Sequence, residues 1–252
     1  MTNIIPFYKN RFFLFQLIAH FSLIPMLIYA TWLQWIIAIF FYFMFGCIGI
    51  AMTYHRYISH KSYEQPLWFT YIGLFFASLG GLSSAISWTA VHREHHRYAD
   101  TNRDPHAPKG QAWKMQFLVM LVPGKAKYAI DVIKNPLYIF QHKYYWYIHV
   151  MWATSLIFID PFALVYAYLV PAVILYHIMA ALGTVTHNGT WGYKNYNQTN
   201  NSMNVTWLGW LAFGEGWHNN HHSDAGNYKF GKMPYEVDIT ARLINLIRTD
   251  KP

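Results

Sequence analysis

From Phe12 to Tyr54 the chain carries no Asp, Glu, Lys or Arg, and almost every residue is apolar or aromatic. A run of that length has few folded forms open to it. In hydrocarbon every backbone N–H and C=O must find a partner inside the protein, and helices meet that need without help from neighbours. Only Thr31 and Trp32 lie between two segments, residues 12–30 and 33–53, each about the 20 residues that a bilayer crossing requires. The pattern predicts a tight hairpin of two membrane helices with its closed end on the far side. Composition agrees: 12% of the residues are charged, where a soluble domain carries about 25%.

A second hairpin is predicted further on. Tyr144, Tyr145, Trp146 and Tyr147 read as an interfacial aromatic belt, followed by a short span over 145–159, a turn at Asp160-Pro161 and a return over 162–182 to His187. Residues 67–88 are apolar too. A crossing there would separate His60 from His92 across the bilayer, so this stretch is read as buried or interfacial. Pro105, Pro108, Pro123 and Pro136 punctuate short helices over 97–145, and 237–247 is amphipathic with Arg242 and Arg248 on its wet side.

The nineteen Lys and Arg residues test this topology: two precede the first span, eleven fall in 54–145, six in 186–252, and none in the far-side turns. The positive-inside rule then places both termini and every histidine cluster on the cytoplasmic face. The fold class is an all-α integral membrane protein: four transmembrane helices in two hairpins beneath a cytoplasmic helical cap (54–144 and 186–252), one domain over 1–252. Residues 12–30 are too long for a cleavable signal and run directly into a second apolar segment, so no such signal is expected. With a net charge of +8, a membrane surface is a better partner than nucleic acid. Cys47, the one cysteine, rules out an internal disulfide and thiolate clusters, and reads as a small core residue.

Chemistry is concentrated in the histidines. His92-x-x-His95-His96 and His218-x-x-His221-His222 place three imidazoles at i, i+3 and i+4, on one face of a helix within a turn of each other. His55 and His60 follow the second span. On an α-helix five residues turn through about 140°, so that pair cannot share a face; His55 is expected to cap the helix and His60 to approach from beyond its end. His187 emerges at the depth of His55. Nine neutral imidazoles exceed what one zinc takes and suit two metal ions with open positions. Imidazole serves iron, zinc, copper and nickel alike, so the ligands alone do not choose. Iron is favoured because two redox-active ions beside a membrane can activate dioxygen, and a hydrolytic zinc pair ordinarily has bridging carboxylates. His20, His149 and His177, each alone within a span, read as neutral rings bonded to neighbouring helices; His106 and His142 read as structural or surface residues.

These three boxes, the last preceded by Gly214-Glu215-Gly216-Trp217, resemble those of membrane fatty acyl desaturases of the stearoyl-CoA type. Trp88, Asp100-Thr101, Asp104-Pro105-His106 and Gly192-Tyr193-Lys194-Asn195-Tyr196 match as well, and the resemblance covers about residues 50–225. It implies a mushroom-shaped fold in which His55, His60, His92, His95, His96, His187, His218, His221 and His222 surround two non-haem iron ions. Four residues before His187 the family usually has an asparagine; here it is Gly183, so either Asn188 or another donor substitutes, or that iron is coordinated differently. Met203 stands where similar bacterial sequences tend to carry arginine.

The resemblance further implies a dioxygen-dependent oxidoreductase that introduces a cis double bond near the middle of a saturated acyl chain. With no fused haem-binding domain, electrons would come from a separate ferredoxin-like or cytochrome-type protein, in a bacterial inner membrane. Asp100, Asp104 and Glu215 can accept the N–H groups of ligating rings, or form surface ion pairs instead. Arg93, Arg97, Lys109 and Lys114 can meet the phosphates of coenzyme A or a lipid headgroup, though the positive-inside bias also accounts for them. Trp88 is a candidate wall of the substrate channel. The rivals are a di-iron membrane hydroxylase, a membrane zinc hydrolase and a non-catalytic scaffold.

Overall fold

A computed structural model describes residues 6–105 and 124–250. His106, Pro108, Lys109, Lys114 and Pro123 lie outside the described residues. Among those described the regular structure is helical, apart from isolated bridges joining Tyr193 to Asn204 and Asn204 to Trp217. Among the described residues, three helical stretches have the length and composition to cross a membrane: Arg11–Tyr29, Trp32–Ser59 and Val165–Val185.

The first stretch is two helices, α1 (Pro6–Phe21) and α2 (Leu23–Tyr29). Pro25 explains the break, since its ring has no N–H and crowds the carbonyl four residues back, at Phe21. Thr31 then caps α3 (Trp32–Phe43): its hydroxyl accepts from the Gln34 amide at 3.4 Å, while the Gln34 side chain accepts from the Thr31 amide at 2.9 Å. This reciprocal pair lets the chain reverse with almost no loop.

Helix α3 runs on into a π-helix, Met44–Ser59, so the second stretch is 28 residues long. Here His60 does lie just past the helix end, as its C-cap, but His55 stands inside the helix and the expectation of separate faces fails. In a π-helix the bonds run from i to i+5 and the coil is wider, so five residues turn only a little past one full revolution. The His60 amide donates to the His55 carbonyl at 3.1 Å, and the Thr53 and Ser59 hydroxyls likewise bond the carbonyls five residues back. Five residues therefore bring the two rings to one face, with centroids 4.9 Å apart.

Leu67 to Leu79 forms α4, whose 13 residues span about 20 Å, short of a bilayer's hydrocarbon core. The chain reverses through Gly80–Ser84 and returns as α5 (Ala85–Tyr98), capped by Ser84. The chain doubles back over this helical hairpin, and His60 before it and His92 within α5 meet with Nε2 atoms 2.7 Å apart. Its packing against the π-helix rests on two glycines. A Cβ on Gly49 would land on the Ala77 backbone, and one on Gly73 on the Thr53 hydroxyl.

After the short α6 (Ile130–Ile133), α7 (Pro136–Ile159) is one 24-residue helix, starting nine residues before the span read from sequence. Asn135 caps it and Asp160 starts the turn beyond it, accepting from the Phe162 amide at 3.0 Å. The aromatic belt needs correcting. Tyr147 faces outward and Tyr144 is half-buried, but Tyr145 is fully buried, its hydroxyl donating to the Ser78 carbonyl at 3.1 Å. Gln141 donates to the Tyr54 and Ser78 hydroxyls and accepts from the Ala85 amide, tying α7 to the α4–α5 turn. A π-turn (Val165–Leu169) leads into α8 (Val170–Val185). The chain closes with α9 (Thr206–Leu211), α10 (His218–Ser223) and α11 (Ile239–Ile247).

The solitary histidines do bond across helices: His20 to His177 at 2.9 Å, His149 to the Tyr168 hydroxyl, His142 to the Ser84 hydroxyl at 2.5 Å. Cys47 is buried in the core. Gly49→Val should cost about 2 kcal/mol by overpacking and lower the melting temperature in detergent by about 4–8 °C. An unchanged melting curve would show that α4 does not press on the π-helix at this point.

Candidate metal centre

The nine histidines singled out from sequence converge, and they divide into two groups. His55, His60, His92, His96 and His221 form one; His95, His187, His218 and His222 form the other, with the ligand atoms of each group within 4.8 Å of one another. The two H-x-x-H-H triplets do not each serve one position. In α5 the i and i+4 rings, His92 and His96, enter the five-histidine group, and His95 at i+3 enters the other. Helix α10 does the reverse: His218 and His222 join the four-histidine group and His221 crosses to the five. The π-helix and its C-cap add His55 and His60, and His187 comes two residues after the end of α8.

Every one of these rings presents Nε2. Neighbouring Nε2 atoms lie 3.0 Å apart for His55–His221, 2.7 Å for His60–His92 and 2.9 Å for His96–His221. In the second group the separations are 3.3 Å for His95–His222, 2.9 Å for His187–His218 and 3.1 Å for His218–His222. Imidazole nitrogens about 2.1 Å from a common ion and at right angles to each other are about 3.0 Å apart. The His221 Nε2 faces two such neighbours, and one proton cannot serve both. The donor set fits a cation in each group.

For three of the rings a carboxylate fixes which nitrogen faces inward. His55 Nδ1–H donates to Glu215, His95 Nδ1–H to Asp104 at 2.9 and 3.0 Å, and His187 Nδ1–H to Asp100 at 3.1 and 3.2 Å. A ring that gives its proton on one side keeps a lone pair on the other. Asp100 holds its place in a left-handed conformation (φ 61°), which aspartate tolerates, and also accepts from the Asn201 amide at 2.6 Å. Burial alone would raise the Asp100 and Glu215 carboxyls. His187 and the Asn201 amide in the first case, and His55 and Arg56 in the second, outweigh it and hold both below the usual range.

The remaining candidates fall differently. Trp88 stacks on His92 at 4.6 Å and lies 5.5 Å from His55, a flat wall on the five-histidine group. Asn188 is exposed and its side-chain oxygen accepts the Thr190 and Trp191 amides at 2.8 and 3.2 Å, so it does not replace the missing asparagine. Arg93 is not free for phosphate: it donates to Asp131 and to the carbonyls of Ile58, Ser59 and Tyr128, clamping the end of the π-helix. Arg97 remains exposed beside Tyr98. Sequence reasoning missed Arg56, Asp238 and Phe230, which stand directly behind Glu215, His55 and His221. The one available signal was an arginine following His55 at the end of a run otherwise free of charge.

Comparison with known proteins agrees with this geometry. The fatty acid desaturase family profile matches residues 30–235. The chain is 31% identical over 224 residues to an sn-1 stearoyl-lipid 9-desaturase of Anabaena variabilis, covering 86% of this chain and 82% of that one. It is 29% identical to an sn-2 palmitoyl-lipid 9-desaturase of Nostoc sp. (strain 36), over 87% and 80% of the two chains. The Delta-9 acyl-lipid desaturase 2 of Arabidopsis thaliana is also 29% identical, over 84% and 71%. The chain belongs to the fatty acid desaturase family and is an oxidoreductase of that kind.

Burial first, and the crowding of like rings second, holds His60, His92, His96, His218, His221 and His222 well below the ordinary histidine value. The unfolded chain takes up protons near pH 6.5 that the folded chain refuses, so stability falls as pH drops through that value and keeps falling until the folded rings titrate. The metal-free protein should therefore melt at steadily lower temperature from pH 7 to pH 5. A flat profile over that window would mean that the rings are solvated.

Proposed function

We propose that this protein places a cis double bond at position 9 of a saturated acyl chain of 16–18 carbons carried on a membrane lipid. The observation that carries the reading is the pair of histidine groups, five and four, each with its Nε2 atoms turned inward. The names of the relatives, stearoyl-lipid and palmitoyl-lipid 9-desaturases, support the chain length, the carrier and the position. The nine histidines would hold two iron ions. When bound, these supply, with dioxygen and electrons from a separate donor protein, the oxidising power that an unactivated methylene demands and no side chain possesses.

The chain's own residues bind, orient and shield. Glu215, Asp104 and Asp100 keep the Nδ1 protons of His55, His95 and His187 in place, so the inward nitrogens stay free. Trp88 offers a rigid aromatic face beside His92 against which a bent chain can lie. Burial of the clusters keeps water from the reacting carbons, and fixed walls decide which methylene pair is presented, because a small misplacement costs rate and regiochemistry.

The same reading includes a single membrane domain with its clusters on the cytoplasmic face. The Lys and Arg distribution supports that side. Helix α7 would serve as the fourth crossing; its 24 residues suffice in length, and Val150, Met151, Ile157, Phe158 and Ile159 point outward.

Expression in a host lacking its own desaturase, with an electron donor supplied, should yield lipids containing a 9-monounsaturated chain by gas chromatography. An alcohol, or no new product, would overturn the proposal. His95→Ala and His218→Ala should abolish the alkene while leaving the membrane helices folded by circular dichroism; full activity in either would remove that residue from the ligands. Asp104→Asn should weaken iron binding about 10–100-fold, measured as metal content after dialysis against a chelator.

A further inference from the structure

Arg56 follows His55 in the π-helix, is wholly buried, and has no part in the function as proposed above. Its Nε and Nη2 donate to Glu215 Oε1 at 3.1 and 2.9 Å. Its Nη1 donates to both oxygens of Asp238 at 3.0 and 2.9 Å and to the Tyr228 carbonyl at 2.6 Å. The guanidinium carbon stands 3.8 Å over the Phe230 ring. A cation in such a place, its planar fork filled by two carboxylates, is held with little freedom to turn.

Two lines of contact lead from it to the metal centre. One runs through Glu215, whose other oxygen takes the His55 Nδ1 proton. The second runs through Phe230, whose ring lies 4.3 Å from that of His221 and 5.4 Å from that of His55. Both end in the five-histidine group, on two rings whose Nε2 atoms are 3.0 Å apart. The far side is anchored as firmly: Asp238 accepts from the Phe230 amide at 2.8 Å and from the Ala241 amide at 2.9 Å, capping α11. Gly214 leaves the space, since it adopts φ 109° and any Cβ there would collide with the Asp238 carboxylate.

We propose that Arg56 is a positioning residue for the five-histidine ion, and that through it residues 228–241 become part of the metal centre. Its fork fixes the Glu215 carboxylate, which fixes the His55 tautomer and aims Nε2 inward; its stacking partner Phe230 fixes the plane of His221. Without the fork Glu215 is free to swing, and His55 with it. Charge alone does not do this, because an ammonium binds carboxylates as a point and lacks the planar geometry. The proposal rests on the reading of the nine histidines as metal ligands.

The test uses full-length protein in detergent, stripped of metal and titrated with cobalt(II), whose visible absorption reports coordination, then with ferrous iron. Wild type should take up two ions per chain; uptake of fewer would overturn the ligand reading and this proposal together. Arg56→Gln and Arg56→Lys should each bind a single ion and show only the cobalt spectrum of the four-histidine group, which His55→Ala independently identifies. Asp238→Asn, an isosteric change that loosens Arg56 without emptying the site, should weaken binding of the affected ion about tenfold. Two ions bound with wild-type affinity and spectrum in all three variants would overturn the proposal while leaving the ligand reading intact. Rescue by lysine would reduce Arg56 to a buried charge. Loss of both ions, with a fall in the melting temperature of the metal-free protein, would make it a general scaffold residue; either result sinks the positioning role.

Discussion

Nine imidazoles pressed to within about 3 Å of their neighbours form an arrangement that proteins do not assemble for packing alone. A neutral ring has one proton and one lone pair, and where the proton is committed to a carboxylate the lone pairs are left facing each other. A cation shared by each group would turn that repulsion into cohesion. The rest of the molecule follows from it: burial disfavours charge on the rings, three carboxylates keep protons on the outer side, and segments far apart in the chain must arrive at one depth. The apolar helices supply that depth. Helix α4 is short and the chain doubles back after it, so α5 brings His92 to within 2.7 Å of His60, and α8 ends two residues before His187.

Much of this was legible in the sequence because it depends on residue type and coarse spacing. The uncharged run from Phe12 points to helices long and apolar enough to cross a membrane, and the H-x-x-H-H triplets point to rings that could hold metal ions. Asp100, Asp104 and Glu215 beside those boxes could be picked as acceptors, although only Asp104 bonds a ring of its own box while Asp100 reaches His187 and Glu215 reaches His55. What escaped depends on angles. Spacing suggested that each triplet stands on one face, whereas the structure splits both, i and i+4 to one group and i+3 to the other, in opposite senses. No pattern in a single helix reveals that, since the split is defined only when the two helices face each other. Asn188 and Arg93 were plausible by type and misjudged by context. One spends its amide oxygen on a turn, and the other spends its fork on the carbonyls at the end of the π-helix.

Arg56 illustrates a different gap. In the sequence it reads as the first positive charge past the membrane, a marker of orientation. In the fold it is among the most buried residues, between Glu215 and Asp238 and against Phe230, with the two carboxylates 159 and 182 positions away. Charge counted along a chain says where a segment sits relative to lipid, and little about which charges are turned inward to meet one another.

The π-helix from Met44 to Ser59 has a consequence of its own. An α-helix advances about 100° per residue, while the wider coil carries an extra residue in each turn. The length of chain between Phe43 and His60 therefore acts as a ruler that sets azimuth as well as height. Side chains along it can vary within the limits of fit, but a one-residue deletion would let the coil relax toward the α form and swing His55 and His60 to different sides. Outside Gly49, His55 and Arg56, the number of residues in this stretch matters more to the site than their identity.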